Sequence, residues 1–244
     1  MNYKTISFEK TNSISILHLN NPKKLNSLSQ LFFDEFDDFI KSLLEDKSCK
    51  ILIIKGSDTC FSAGGDLKEI GSANYEKSLL MCLRVQRSFG ALFNLPFPVI
   101  AMLKGLVFGG GFELALHCDI RFSSEDAIIK LPEVELGLIP GAGGISILSR
   151  YFSTGDAAYY LFTGNQIPVN EAKSKAIIQK VFSDDNIYSE TMEFAKSLCN
   201  KSSESLAAIK KILVSGMFND LESTMTMEAQ EFSSVLQRCG HNRI

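Results

Sequence analysis

The sequence predicts an α/β fold with parallel strand pairing, followed by an all-helical C-terminal region. Three observations predict it. Short apolar runs that read as buried strands alternate with amphipathic helical patterns. Glycine-rich turns lie where strands should pass into helices. Beyond about residue 185 the strand signals cease and only helical periodicity remains.

The elements follow in order. Ile14-Ser15-Ile16-Leu17-His18-Leu19 alternates for part of its length and reads as a strand, with a turn signal at Asn20-Asn21-Pro22. Phe32, Phe33, Phe36, Phe39, Ile40, Leu43 and Leu44 recur at helical spacing, with Ser29 as the expected N-cap. Ile51-Leu52-Ile53-Ile54, ended by Gly56, reads as a strand buried on both faces. A second helix is expected over Leu79, Leu80, Leu83, Val85, Phe89 and Leu92, stopping near Pro96 and Pro98. Val99-Ile100-Ala101-Met102 is the next buried strand, and a turn at Gly109-Gly110-Gly111 enters a short helix through His117. Short strands are expected from Asp119 to Phe122 and from Ala127 to Leu131. The C-terminal helices are expected at Met192–Leu198, Ser205–Val214 and Leu221–Leu236, with breaks at 200–203 and around Gly216. No internal repeat shows as sequence self-similarity.

Composition narrows the function. With 244 residues, 45% hydrophobic and 22% charged, the chain can bury a sizeable core. A net charge of −3 gives no electrostatic reason for a nucleic-acid or anionic-membrane partner. No run approaches the roughly 20 apolar residues that cross a bilayer. Met1-Asn2-Tyr3-Lys4, followed by Ser7, Glu9 and Lys10, lacks the apolar centre of a signal peptide, so the cytoplasm is the expected compartment. The six cysteines (Cys49, Cys60, Cys82, Cys118, Cys199, Cys239) are scattered and read as reduced thiols. With only His18, His117 and His241 besides, no metal site is expected.

Glycine clusters invite a nucleotide reading, and two patterns disfavour it. Gly141-Ala142-Gly143 continues with Gly144, Ile145 and Ser146, so the last glycine of a dinucleotide fingerprint is absent. No stretch supplies the lysine of a phosphate loop. Two turns remain: Phe61-Ser62-Ala63-Gly64-Gly65-Asp66 and Phe108-Gly109-Gly110-Gly111-Phe112-Glu113. Each follows a strand and precedes a helix, where backbone N–H groups have no intrahelical partner. Two such groups converging would form an oxyanion hole. Glu113 and Glu133 lie close in sequence, and two glutamates beside an oxyanion hole can hold and activate a water. Burial would raise their pKa values, and mutual repulsion one of them further. If its stretch is extended, Glu135 faces away from Glu133. Singly, each glycine cluster is also explained by a tight turn, Glu113 by the helix dipole and Glu133 by a solvated turn.

Taken together, the motifs resemble the crotonase (enoyl-CoA hydratase/isomerase) superfamily. The segment from Phe61 to Glu69 resembles its first oxyanion segment, and Gly109 to Asp119 its second. Leu131-Pro132-Glu133 through Gly144 resembles the segment carrying its second acid. Weaker similarity runs from Asn21 to Gly164 and into the helical tail.

The resemblance implies a crotonase-type spiral of ββα repeats over residues 1–188 and a helical oligomerisation region over 189–244 that builds trimers, often paired into hexamers. It implies that the Gly65 and Gly110 amides bind a thioester oxygen. Ala63, Asp66, Leu67 and Lys68 would line the CoA or pantetheine channel, with Lys23 and Lys24 near its mouth. Glu133 would transfer the proton at the reacting carbon, and Glu113 would hold the water. Since isomerases of the family need only the acid at the Glu133 position, retention of Glu113 points to hydration of an acyl-CoA or carrier-protein thioester. Isomerisation, decarboxylation or hydrolysis, and a non-catalytic acyl-thioester-binding subunit, are the alternatives. No cofactor is expected beyond the CoA of the substrate. The chain departs from the family at Ile145-Ser146-Ile147, usually Thr-Gln-Arg, and at Ala176-Ile177-Ile178, where Gly-Leu-Val is common. Many hydratases carry alanine where Gly65 stands, which keeps the N–H. The tail His241-Asn242-Arg243-Ile244 leads to the expectation that a terminal basic helix is missing.

Overall fold

The computed structural model describes residues 3–239; the side chain of Cys239, His241 and the tail 240–244 lie outside the described residues. Two parallel-stranded sheets form the centre. The larger has the order β1-β2-β3-β5-β7-β9, built from β1 (Ile6–Thr11), β2 (Ile14–Leu19), β3 (Ile51–Lys55), β5 (Val99–Leu103), β7 (Ile120–Ser124) and β9 (Lys180–Phe182). Only the β1–β2 hairpin pairs antiparallel; the other neighbours are parallel. The smaller sheet joins β4 (Cys60–Ser62), β6 (Leu106–Phe108) and β8 (Ile128–Lys130), all parallel. β3, β5 and β7 thus each run on into a short strand of the second sheet. That is the spiral of ββα units that the resemblance implies.

Alternation along the long strands explains why they read as continuous apolar runs. Leu52, Ile54, Val99, Ala101 and Leu103 enter the main core. Their neighbours Ile51, Ile53, Ile100 and Met102 form a second core on the opposite face. Successive side chains point to opposite faces, so a sheet covered on both must be apolar at every position. The second face is covered by α8 (Ile187–Cys199) through Ile187, Met192 and Ala195. The boundary expected after residue 188 falls within this helix.

Helix α1 (Gln30–Glu45) starts where expected, with the Ser29 Oγ accepting from the Phe32 amide at 3.3 Å. Its phenylalanines 32, 33, 36 and 39 enter the main core. Helix α2 (Leu67–Gly71) is short, and α3 (Tyr75–Gly90) runs on into a 3-10 turn, Ala91–Asn94. The leucine spacing places α3 correctly but not its environment: Leu79, Leu80 and Leu83 are exposed. Helix α4 (Gly110–Leu116) is buried throughout its body, and the fully buried Arg121 donates to the carbonyls of Ala115 (3.3 Å) and Cys118 (2.6 Å) at its C-terminal end.

The remaining helices are α5 (Gly144–Leu148), α6 (Thr154–Thr163), α7 (Val169–Ser174), α9 (Ser203–Ser215) and α10 (Leu221–Cys239). Lys210 fastens α9 to the core through the carbonyls of Leu92 (2.7 Å) and Phe97 (3.0 Å) and the carboxylate of Asp119 (2.8 Å). Helix α10 packs on α9. Among the described residues no helix is long and apolar enough to cross a membrane.

Candidate active site

The first glycine turn leaves β4 and is braced by the segment 25–28. Ala63 N donates to Leu25 O (2.9 Å), Leu28 N to Gly64 O (2.8 Å) and Asp66 N to Leu28 O (3.2 Å). In extended backbone, alternate residues turn their polar groups to opposite edges. Because Gly64 O and Asp66 N face Leu28, the Gly65 amide faces the other way, towards α4. The second turn enters α4 at Gly110, whose amide, at the first helical position, has no intrahelical acceptor. Neither amide donates to a protein acceptor among the described residues.

The two turns touch. A Cβ on Gly64, at φ +93, would lie 2.9 Å from Phe108 O and 3.2 Å from Gly110 N. A Cβ on Gly110 would lie 3.5 Å from Gly65 N. A Cβ on Gly109, at φ +51, would lie 2.9 Å from Glu133 Oε1. At Gly64 and Gly109 only glycine permits this approach and these dihedrals, so these two do more than turn the chain. Two unpaired amides and a Glu133 carboxyl oxygen thus lie beside the same pair of glycine turns.

The acids are held differently. Glu113 is buried on the first turn of α4, and its Oε1 accepts from Ala142 N (2.7 Å) and Gly144 N (2.9 Å). Burial pushes its pKa up, while those two amides pull it back. Glu133 lies on a 3-10 helix, Pro132–Leu136, that follows β8 and ends at Gly137 with φ +69. Its Oε2 is buried without a hydrogen-bond partner. Burial, with a smaller push from the Glu113 charge, raises its pKa to about 7. The donors around Glu113 favour its ionised form, so a single proton shared between the two acids rests on Glu133. Because its stretch is helical and not extended, Glu135 is not disposed by strand alternation; it is exposed and packs near Gly164.

The other expected site residues surround these turns less tightly. Ala63 is half-buried in the first turn, and Leu67 and Lys68 are exposed on the first turn of α2. Asp66 caps α2, its Oδ1 accepting from Lys68 N (3.0 Å) and Glu69 N (3.4 Å), and its Oδ2 pairs with Lys24 at 3.0 Å. The structure therefore joins Lys24 and Asp66 to each other beside the turn. Sequence reasoning missed the Ala142 and Gly144 amides, although the Gly141–Gly144 cluster that fails the dinucleotide pattern supplies them. It also missed α3 as a wall: Gln86 Nε2 donates to Gly141 O at 2.8 Å. Among the described residues, no group of three or more His, Cys, Asp or Glu could hold a metal ion.

Residues 9–241 match the family described as Enoyl-CoA hydratase/isomerase. The chain belongs to the enoyl-CoA hydratase/isomerase family. Among curated relatives of this family, the crotonyl-CoA hydratase of Syntrophomonas wolfei is 31% identical over 233 residues, covering 95% of this chain and 90% of that protein. The short-chain-enoyl-CoA hydratase of Clostridium acetobutylicum is 30% identical over 233 residues, covering 95% and 89%. The crystal structure of an enoyl-CoA hydratase from Bacillus anthracis superposes with a TM-score of 0.90 at 30% identity, covering 95% of this chain and 91% of that one. One from Thermoplasma volcanium superposes with a TM-score of 0.89 at 29% identity, covering 95% and 92%. The enoyl-CoA hydratase/isomerase fold, the crotonase spiral, is therefore the fold of this chain.

Proposed function

We propose that this protein is an enoyl-CoA hydratase, a hydro-lyase that adds water across the α,β-double bond of a short- or medium-chain acyl-CoA. The observation that carries the reading is the pair of acids, Glu113 and Glu133, beside the unpaired amides of Gly65 and Gly110. In this reading both amides donate to the thioester oxygen, where negative charge develops. The Glu113 carboxylate takes a proton from water as its oxygen adds to the β-carbon, giving the enolate. The Glu133 carboxyl then gives its proton to the α-carbon. Water and thioester supply every atom and electron of the product, so the step requires no further cofactor. An isomerase moves a proton and needs no second acid; a carboxylate steadied by two backbone donors is suited to orienting a second reactant.

In the same reading, Ala63, Leu67 and Lys68 line the channel of the CoA arm, with the Lys24–Asp66 pair at its side. Residues 189–244 build a homotrimer or hexamer. Ile209, Leu213, Phe218, Leu221, Met225 and Phe232 support this, being large apolar side chains left exposed on and between α9 and α10. The cytoplasm is the proposed compartment.

Purified protein mixed with crotonyl-CoA is expected to remove the absorbance of the conjugated thioester and yield the 3-hydroxyacyl product. Tight acyl-CoA binding with no loss of absorbance would instead favour a binding subunit. A pH profile is a second test. The active state carries one proton on the two acids, so kcat/KM is expected to fall as pH rises through about 7, where Glu133 loses it. Hydration leaves the net protonation of the pair unchanged, so hydration and dehydration must show the same profile. A kcat/KM that stays level as pH rises through about 7 would rule out a proton held on Glu133.

A further inference from the structure

Hydration gives Asn26 no reagent to carry, yet the chain holds it next to a leucine in an unfavourable conformation. Asn26 and its neighbour Leu25 both have left-handed backbones, φ 53° and 50°. Residues with side chains rarely adopt that region, and packing does not hold Leu25 there, since it is exposed. The compensation lies in hydrogen bonds. The buried Asn26 Nδ2 donates to Cys60 O (3.0 Å) and Phe61 O (3.1 Å), and Oδ1 accepts from Asn21 N (2.8 Å). The Asn26 carbonyl accepts from Ser62 Oγ at 2.8 Å.

Ser62 carries the connection onward. Its Oγ accepts from Gly64 N at 3.1 Å, inside the turn that presents the Gly65 amide. Its Cβ also abuts α4: a Cβ on Gly111 would come within 2.6 Å of it. Strand β4, the turn after it and the helix bearing Gly110 are thus all registered on two buried side chains that touch no reacting atom.

We infer that Asn26, acting through Ser62, is a positioning residue that aims the Gly65 amide at the thioester oxygen. The inference rests on the oxyanion reading of Gly65 and Gly110. Without the Asn26 amide, the carbonyls of Cys60 and Phe61 lose their tie to residue 26, although Cys60 O keeps the Ser57 amide at 2.9 Å; without the Ser62 hydroxyl, Gly64 N loses its acceptor. The turn can then drift from α4 by a fraction of an ångström. Such a drift weakens a bond that matters most as the enolate forms, so it lowers kcat more than it raises KM.

Two variants test this: Asn26→Asp, nearly isosteric but without the donors, and Ser62→Ala, which leaves Asn26 in place should the first fail to fold. With crotonyl-CoA, kcat is expected to fall about 10–100-fold while KM moves by less than about threefold. A structural role alone would also lower stability, so the deciding measurement is the infrared band of the thioester carbonyl in bound, 13C-labelled butyryl-CoA. This saturated probe cannot be hydrated. In the wild-type protein the band should lie below that of free butyryl-CoA, and in each folded variant it should move back towards it. An unmoved carbonyl band overturns the inference, whether kcat is unchanged or merely follows lost stability. So does a wild-type band no lower than that of the free thioester. A polarised wild-type carbonyl with no turnover of crotonyl-CoA would sink the hydratase reading alone, and the shift in the variants would still decide the role of Asn26.

Discussion

Replacing Glu133 with glutamine is expected to abolish hydration while leaving acyl-thioester binding nearly intact. The carboxyl has one oxygen against Gly109 and the other buried without a partner, poised beside the paired turns. Glutamine fills the same space but cannot give up a proton at working pH. A well-placed general acid accounts for about 10²–10⁴ in rate, and kcat should fall by at least that much. In the proposed mechanism binding rests on the Gly65 and Gly110 amides and the channel, which the substitution leaves in place, so the dissociation constant of butyryl-CoA should change little.

Stability gives this variant a second signature. Because burial raises the Glu133 pKa from 4.5 to about 7, the folded state holds a proton that the unfolded chain has released between those values. The stability this group contributes is complete below about 4.5 and is lost as pH rises through about 7. Glutamine has no such dependence. The melting temperature of Glu133→Gln should therefore gain on the wild type between about pH 5 and about pH 8. Near-native turnover in the variant would remove Glu133 from the mechanism, and parallel melting curves would mean that its carboxyl is not held protonated.

The candidate site was more legible in the sequence than the framework around it. Glycine turns and acids declare themselves because few other residues serve: no Cβ fits at Gly64, and the proposed proton transfer needs a carboxyl at position 133. The long strands were legible because burial on both faces makes Ile51–Ile54 and Val99–Met102 apolar at every position. The spiral came only through the family resemblance and not from periodicity, since its units begin at residues 51, 99 and 120 and their unequal lengths leave no period to find. Of the second sheet only β8 was expected, from Ala127 to Leu131; β4 and β6 were hidden, because three-residue strands are too short to show alternation. Edge strand β1 escaped notice, with five of its six residues exposed. The exposed leucines of α3 mislead for the opposite reason: an apolar stripe at helical spacing predicts a helix, not what covers it. Asn26 and Ser62 could not be read at all, for the carbonyls that Asn26 holds lie 34 and 35 residues away in sequence.

Gly110→Pro should be as damaging as loss of the acid, through the other half of the mechanism. Residue 110 is the first of α4, a position where proline is tolerated because its missing N–H has no helical partner to lose. The preceding Gly109, at φ 51° and ψ −125°, lies outside the helical region that a following proline disfavours. The fold should therefore survive, and the buried residues of α4, Phe112, Leu114, Ala115 and Leu116, should hold the helix in the core. The oxyanion hole should not survive. Proline deletes the donor and sets its ring carbon where the amide hydrogen pointed, in the space meant for the thioester oxygen. Loss of one oxyanion donor alone costs about 10²–10³ in kcat, and obstruction of the Gly65 amide should add to it. Gly110→Ala separates the two effects. It keeps the N–H, and its Cβ would meet the flexible end of Leu28 at 3.3 Å, so it should cost far less. Matching losses in the two variants would mean that crowding, not the amide, limits the reaction. A folded Gly110→Pro protein that keeps most of its activity would show that the thioester oxygen is bound elsewhere.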